Sequence, residues 1–206
     1  MLTAGVLALQ GDFEAHRKAL AAAGLDAREV RTASELLSVD ALVLPGGEST
    51  TMWKLMEGTG LPEAIVELAV SGRPVLATCA GAILLSRRIT NPDRTGLGLL
   101  DVTTVRNAYG RQLDSTVVRL TDLDREVLGD EPLEAVFIRA PRFHDVGKGV
   151  EILARRDGAA VLVRSGNLLA ATFHPELAQD GRVHRLFVEE VRKLKARDAV
   201  RLAETR

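Results

Sequence analysis

Short apolar runs with no polar alternation constrain this chain more than any other feature. Ala41-Leu42-Val43-Leu44 and Val75-Leu76-Ala77 carry no polar residue, so a strand built from either must be covered on both faces. Central strands of parallel sheets meet that condition, because the crossover between two parallel strands is a helix that packs on the sheet. The first half of the chain supplies the alternation this needs. Strand-like Gly5 to Leu9 is followed by helix-like Phe13 to Ala23, then strand-like Ala41 to Leu44, helix-like Thr50 to Gly58 and strand-like Val75 to Thr78. This rhythm predicts βαβ units around a parallel sheet.

From Leu97 to Thr172 the pattern changes. Strand-like stretches at Leu99 to Val105, Thr116 to Leu120, Ala135 to Ile138, Val150 to Ala154, Ala159 to Val163 and Leu168 to Thr172 follow one another, several separated by short glycine-bearing turns. Asp157-Gly158 and Ser165-Gly166-Asn167 are turn signals, and the whole stretch predicts an antiparallel extension of the sheet. A helix from Arg182 onward closes the fold. The predicted architecture is α/β: a flavodoxin-like three-layer sandwich with a central, mostly parallel sheet and an antiparallel extension. With no repeat, linker or low-complexity segment, the 206 residues read as one domain, with a charge-rich end beyond about residue 194 expected to fray.

Charge and cysteine content exclude several classes of function. The net charge is −1, with Lys and Arg scattered among Asp and Glu, so the basic stripe of a nucleic-acid binder is missing. The stretch Met1 to Leu9 lacks a basic leader, and no apolar run is long enough to span a bilayer, which predicts a cytoplasmic protein without a membrane partner. The single cysteine, Cys79, has no second thiol for an internal disulfide or a cysteine-rich metal site, and no metal or cofactor is expected. Cys79 is therefore either a small core residue or a reactive one.

Ligands of an open parallel sheet collect beyond the carboxyl ends of its strands, and three segments end strands there. Pro45-Gly46-Gly47-Glu48-Ser49-Thr50 passes from a buried strand to a helix through two residues without side chains. Ala77-Thr78-Cys79-Ala80-Gly81 places the thiol on a sharp strand-to-helix turn, and Phe173-His174-Pro175-Glu176 follows the last strand. A helix N-terminus and a neighbouring imidazolium favour thiolate over thiol, so a cysteine so placed is activated as a nucleophile. The N–H of Ala80 and the Gly46–Gly47 peptide are the candidate donors to an oxyanion. His174 would move the proton. Glu176, two residues on across a proline that disfavours helix, would fix the ring's tautomer.

This set of residues resembles the triad-type (class I) glutamine amidotransferases. Within them, Leu9-Gln10-Gly11, the stretch from Gly98 to Val102, the block Val105-Arg106-Asn107-Ala108-Tyr109-Gly110-Arg111-Gln112 and Phe137-Ile138-Arg139-Ala140-Pro141 resemble the glutaminase subunits of pyridoxal 5'-phosphate synthase. The match runs from about Gly5 to about Phe187. The resemblance implies that Cys79 attacks the side-chain amide of L-glutamine to form a thioester, with His174 and Glu176 completing the triad and Gly46 and Gly47 forming a switchable oxyanion peptide. It implies a glutamine site lined by Gly47, Glu48, Ser49, Arg106, Ile138 and Arg139, Arg106 being suited to a carboxylate by its planar donor fork. It also implies a synthase subunit as partner, which receives the ammonia and builds the pyridoxal 5'-phosphate, so that no cofactor resides on this chain. Gln10 and Gly11 are either part of that interface, or order the oxyanion peptide, or simply cap a strand. The sequence departs from the family pattern at Ala77, which stands where glycine is usual before the nucleophile. The alternatives are an amidotransferase serving another synthase, such as imidazole glycerol phosphate synthase, and a non-catalytic module that has kept the fold.

Overall fold

The computed structural model describes residues 2–106, 108 and 115–204, with side chains of the last helix up to 197. The block from Arg106 to Gln112 therefore lies outside the described residues except for Arg106 and Ala108. In chain order the first half holds β1 (Thr3–Leu7), α1 (Phe13–Ala22), β2 (Asp26–Val30), α2 (Ala33–Leu37), β3 (Ala41–Leu44), α3 (Ser49–Met56), α4 (Leu61–Val70), β4 (Val75–Thr78) and α5 (Ala80–Leu85). The second half opens with β5 (Ser86–Thr90), β6 (Arg94–Thr95), β7 (Leu100–Val105), β8 (Thr116–Leu120), β9 (Asp122–Leu123) and α6 (Arg125–Leu128). It continues through β10 (Leu133–Phe137), β11 (Arg142–His144), β12 (Glu151–Arg156), β13 (Ala159–Ser165) and β14 (Leu168–Ala171). A 3-10 turn (Pro175–Leu177) and α7 (Arg182–Glu204) end the described chain. Thus α7 runs through the stretch expected to fray.

The main sheet has the order β2-β1-β3-β4-β14-β13-β12-β9. Its first five strands are parallel and its last three pairings are antiparallel. The continuous apolar runs fall where two-sided cover is required: β3, β4 and β14 are buried at every position. Alternate residues of β3 serve opposite faces. Leu42 and Leu44 join Leu36, Met52, Ile65 and Leu68 of α2, α3 and α4, whereas Ala41 and Val43 join Leu20 of α1 and Val183, Phe187 and Val191 of α7. Two apolar layers on one buried sheet make the three-layer sandwich that the sequence predicts. Among the described residues, no helix is long and apolar enough to cross a membrane.

The stretch from Leu99 to Thr172 is where the structure corrects the sequence. Only β13, β12 and β9 extend the main sheet, and β14 joins it parallel to β4. β7 pairs with β5 and β11 in a four-stranded sheet, and β8 pairs with β10 alone. Burial explains the division. Leu100, Val102 and Phe143 pack into the core on the α2–α5 face, while Leu120, Leu133 and Phe137 pack into the core on the α1 and α7 face. These strands bury one face against opposite sides of the molecule, which strands in a single extension could not do. The Asp157-Gly158 turn does join β12 to β13, with positive φ at both residues (51° and 76°) as a tight hairpin requires.

Four neighbouring strands, β1, β3, β4 and β14, point their carboxyl ends at one rim. The loops that leave them are Gln10 to Asp12, Pro45 to Glu48, Cys79 and Phe173 to Glu176.

Candidate functional site

Cys79 sits between β4 and α5 with φ 45° and ψ −103°. The positive φ falls on Cys79 itself, and Ala77 lies inside β4, buried and absent from the residues with positive φ. The departure from glycine at Ala77 therefore costs no backbone strain, which falls two residues later on Cys79, at about 1–3 kcal/mol for a conformation this rare. The turn is pinned from both sides. Cys79 N–H donates to Ala171 O at 2.9 Å and its carbonyl accepts from Ile83 N–H at 3.2 Å. Gly81 lies so close to the carbonyl of Leu44 that a Cβ there would overlap it, so the helix can approach β3 only through a residue without a side chain.

His174 follows β14, and its N–H donates to Val136 O at 2.8 Å. Pro175 starts a 3-10 turn that brings Glu176 back under the ring, with Nδ1 of His174 2.7 Å from Oε1 of Glu176. Cys79 acts on the same imidazole, favouring its charged form, and lines one cavity with it, so thiol, imidazole and carboxylate stand in series. Only 6%, 4% and 9% of Cys79, His174 and Glu176 are exposed. Burial alone disfavours a charged ring, but the hydrogen bonds and charges of Cys79 and Glu176 outweigh it and raise the pKa of His174 to about 10. Burial pushes the carboxyl of Glu176 above its ordinary value, partly opposed by His174.

A cavity of about 340 Å³ opens in front of this series, at the small end of the ~300–1,000 Å³ usual for small-molecule sites. Gly47, Glu48, Ser49, Arg106, Ile138 and Arg139 all line it, as do Gln10, Cys79 and His174. The structure thus collects onto one wall residues spread from position 10 to position 174. Glu176 lies behind His174 and does not line the cavity. Asp12, Ile83 and Pro141 also line it. Asp12 and Ile83 carry no motif, and their only signal is position at the start of a helix after a rim loop.

The Gly46–Gly47 peptide is wedged between three groups. A Cβ on Gly46 would enter the ring of His174, and one on Gly47, whose φ is +152°, would come within 2.5 Å of Oε1 of Gln10. On the other side, the carbonyl of Gly46 occupies the place of a side chain on Gly11. Oε1 of Gln10 accepts from Glu48 N–H at 2.7 Å, so the Gln10–Gly11 loop braces this peptide. Glu48 caps α3, accepting from the N–H groups of Thr50 (3.0 Å) and Thr51 (2.7 Å) and from the Thr51 hydroxyl (2.8 Å). Although burial raises its pKa, these hydrogen bonds draw it down to about 2. Nη2 of Arg106 donates to Oε1 of Glu48 at 3.3 Å, which aims part of its donor fork at the helix cap.

Asp12, His174 and Glu176 bring possible ligand atoms within 4.8 Å of one another. Nδ1 of His174 already shares its bond with Glu176, so a cation there would displace the bond that orients the ring.

A strained thiol elbow, an imidazole and a carboxylate in series, at the carboxyl rim of a three-layer sandwich, define the class of α/β proteins built around a cysteine–histidine–acid site. Within that class the chain belongs to the SNO glutamine amidotransferase family, which residues 6–193 match. Its relatives include pyridoxal 5'-phosphate synthase subunit PdxT of Koribacter versatilis, 51% identical over 188 residues that span 91% of this chain and 95% of the relative. The PdxT subunit of Bacillus pumilus is 44% identical over 201 residues, 97% of this chain and 100% of the relative. A solved structure described as a glutamine amidotransferase is similar with a TM-score of 0.83 at 45% identity, covering 91% and 98% of the two chains. A chain of the PurLQS structure from Thermotoga maritima, at 16% identity and a TM-score of 0.70 over 94% and 99% of the two chains, shares the fold.

Proposed function

We propose that this chain is the glutaminase subunit of a pyridoxal 5'-phosphate synthase, hydrolysing L-glutamine to L-glutamate and ammonia and handing the ammonia to a synthase subunit. The observation that carries this reading is the single file of Cys79, His174 and Glu176 against a cavity of glutamine size. Near-50% identity to PdxT subunits over most of the chain supports the particular pathway.

The chemistry follows from the protonation of the ring. With its pKa raised to about 10, His174 holds a proton at neutral pH and is the acid of the first step. Sulfur of Cys79, whose proton is the one His174 holds, bonds as thiolate to the side-chain amide carbon of glutamine, and the carbonyl electrons move onto oxygen. The N–H groups of Ala80 and of the Gly46–Gly47 peptide stabilise that oxyanion. As it collapses, the C–N bond breaks, His174 delivers its proton to nitrogen, and ammonia leaves a glutamyl thioester on Cys79. Water then attacks the thioester while the neutral ring of His174 takes its proton, the C–S bond breaks, and glutamate departs. Glu176 holds the ring's tautomer and offsets its charge in both halves.

Gly47, Glu48, Ser49, Arg106, Ile138 and Arg139 bind the amino-acid end of glutamine. The Gly46–Gly47 peptide, braced by Gln10 and Gly11, takes its active orientation when the synthase docks, so the chain alone is nearly idle and does not waste glutamine. The subunit acts in the cytoplasm, where a lone thiol stays reduced. The test is glutamine turnover by the purified chain with and without a synthase subunit, beside the C79A variant. Turnover that rises on mixing and vanishes in C79A is expected; undiminished turnover in C79A would remove Cys79 from the mechanism.

A further inference from the structure

Behind Glu176 lies a second polar file that the reaction above does not use. His16, on the inner face of α1, and His184, in the first turn of α7, are fully buried. Nδ1 of His16 is 3.0 Å from Nε2 of His184, and Nε2 of His16 is 3.1 Å from Oγ1 of Thr78 and 3.3 Å from Oε2 of Glu176. The hydrogen bond of His16 Nε2 goes to Thr78, and Oε2, the carboxylate oxygen turned away from His174, has no hydrogen-bond partner of good geometry among the described residues, His16 at 3.3 Å being its near polar neighbour; Nδ1 of His184 has none either.

Counting protons assigns the tautomers. Both rings are neutral at pH 7: burial, His184 and His174 hold His16 well below its ordinary value, and burial lowers His184 to about 4. If His16 carried its proton on Nδ1, its Nε2 lone pair would face the carboxylate, and His184 would bury an unsatisfied N–H at Nδ1. With both protons on Nε2, His184 donates to His16 and His16 presents N–H toward Glu176 and Thr78. The leftover group is then an acceptor on His184, cheaper to bury than a donor.

Resting on the glutaminase reading, we infer that His16 is a positioning residue for the triad: its Nε2–H supports the outer oxygen of Glu176, and His184 fixes the tautomer that makes this possible. The carboxylate is thereby flanked at both oxygens, hydrogen-bonded by His174 at Oε1 and faced by His16 at 3.3 Å from Oε2, and a small rotation of the carboxylate or of the ring closes the second contact as the charge of His174 comes and goes through the cycle. The titratable groups around the carboxylate are His174 on its own turn, His16 from α1 with His184 behind it, and Asp12, whose Oδ2 is 3.7 Å from Nδ1 of His174. Of these, His16 is the one that faces Oε2.

The experiment compares H16L, H16Q and H184L with the parent and with C79A, in the full chain mixed with synthase, across pH. Loss of a hydrogen bond to a charged group should lower kcat about 10- to 100-fold in H16L, leave KM within a few fold, and move the acid limit of kcat upward as the unsupported carboxylate protonates more easily. In H16Q the side-chain amide reaches where Nε2 was and should restore most of both. H184L should show a smaller shift of the same sign. A folded H16L with parental kcat and acid limit would overturn the inference, as would H16Q behaving like H16L. Imidazole nitrogen NMR of the parent chain gives a readout independent of turnover. His16 and His184 both protonated on Nε2 is expected, and protonation of His16 on Nδ1 would refute the assignment. If the parent with synthase fails to hydrolyse glutamine, the proposed function falls, while the tautomer measurement still decides the role of His16.

Discussion

Replacing Gly46 by alanine tests the placement of His174 most sharply among single substitutions. A Cβ at Gly46 would lie 2.9 Å from Nδ1 of His174 and closer still to Cε1, against the 3.4 Å at which ordinary contact begins. Neither side can retreat freely. The carbonyl of Gly46 already rests against Gly11, and the ring is tied to Glu176 at 2.7 Å while the backbone N–H of His174 donates to Val136 O. The ring must therefore move by roughly 1 Å, enough to cost about 10²-fold in rate where reacting groups must align, or about 2.7 kcal/mol of barrier. Overpacking should also cost about 1–3 kcal/mol of stability, which for a chain of this size lowers the melting temperature by about 2–4 °C per kcal/mol. The assay is glutamine turnover of G46A with synthase present, with thermal unfolding in parallel. G149A serves as control, because its added methyl meets nothing within 4 Å and should leave both near parental values. Parental kcat and melting temperature in G46A would mean that the ring is not held where the structure puts it.

Four further outcomes follow from the same geometry. C79G should melt higher than C79A, by about 0.5–2 kcal/mol, because glycine accepts φ 45° while alanine keeps the strain; equal or reversed melting would deny a strained elbow. E48A removes the cap of α3 and should cost about 1 kcal/mol while raising KM through the freed Arg106, read by unfolding and by steady-state kinetics. Stability should fall as pH drops from about 6.5 toward 4, since His184, depressed to about 4, is charged in the unfolded chain before the folded one. That gap is worth on the order of 3 kcal/mol, so denaturant titrations should find the acid loss blunted in H184L. In the other direction, His174 is raised to about 10, so its contribution is complete below 6.5 and is lost as pH climbs through about 10. An E176Q variant should show a shallower alkaline decline.

What could be read from sequence depended on how completely a segment is buried. β3 and β4 are covered on both faces and spell themselves as unbroken apolar runs. β2, the sheet's outer parallel strand, has the pattern Asp26-Ala27-Arg28-Glu29-Val30 with its charges toward solvent, and nothing in it suggests a strand. The strand character of Leu100 to Val105 was legible, but its partner was not, because pairing with β5 depends on which core its side chains reach. The rim residues were legible because each stands just past a buried strand, beside glycine or proline. Glu176 could be placed with His174 because a proline-led turn brings residues two apart together. His16 and His184 have no such marker: each is a lone polar residue on the apolar stripe of a helix, His16 four residues from buried Leu20 and His184 beside buried Val183. Only the meeting of two distant helices makes them neighbours of the active site. Asp12 was hidden for a related reason, since its nearness to His174 is set by the loop after β1 and not by any spacing along the chain.

The central claim is covalent: a glutamyl group must reside for part of each cycle on the sulfur of Cys79. Acid-quenching the chain with its synthase and isotopically labelled glutamine, then digesting and mapping the label by mass spectrometry, measures that directly. The account predicts label on the peptide carrying Cys79 and none in C79A. Steady ammonia release with no label on that peptide at any quench time, together with the same release from C79A, would contradict it.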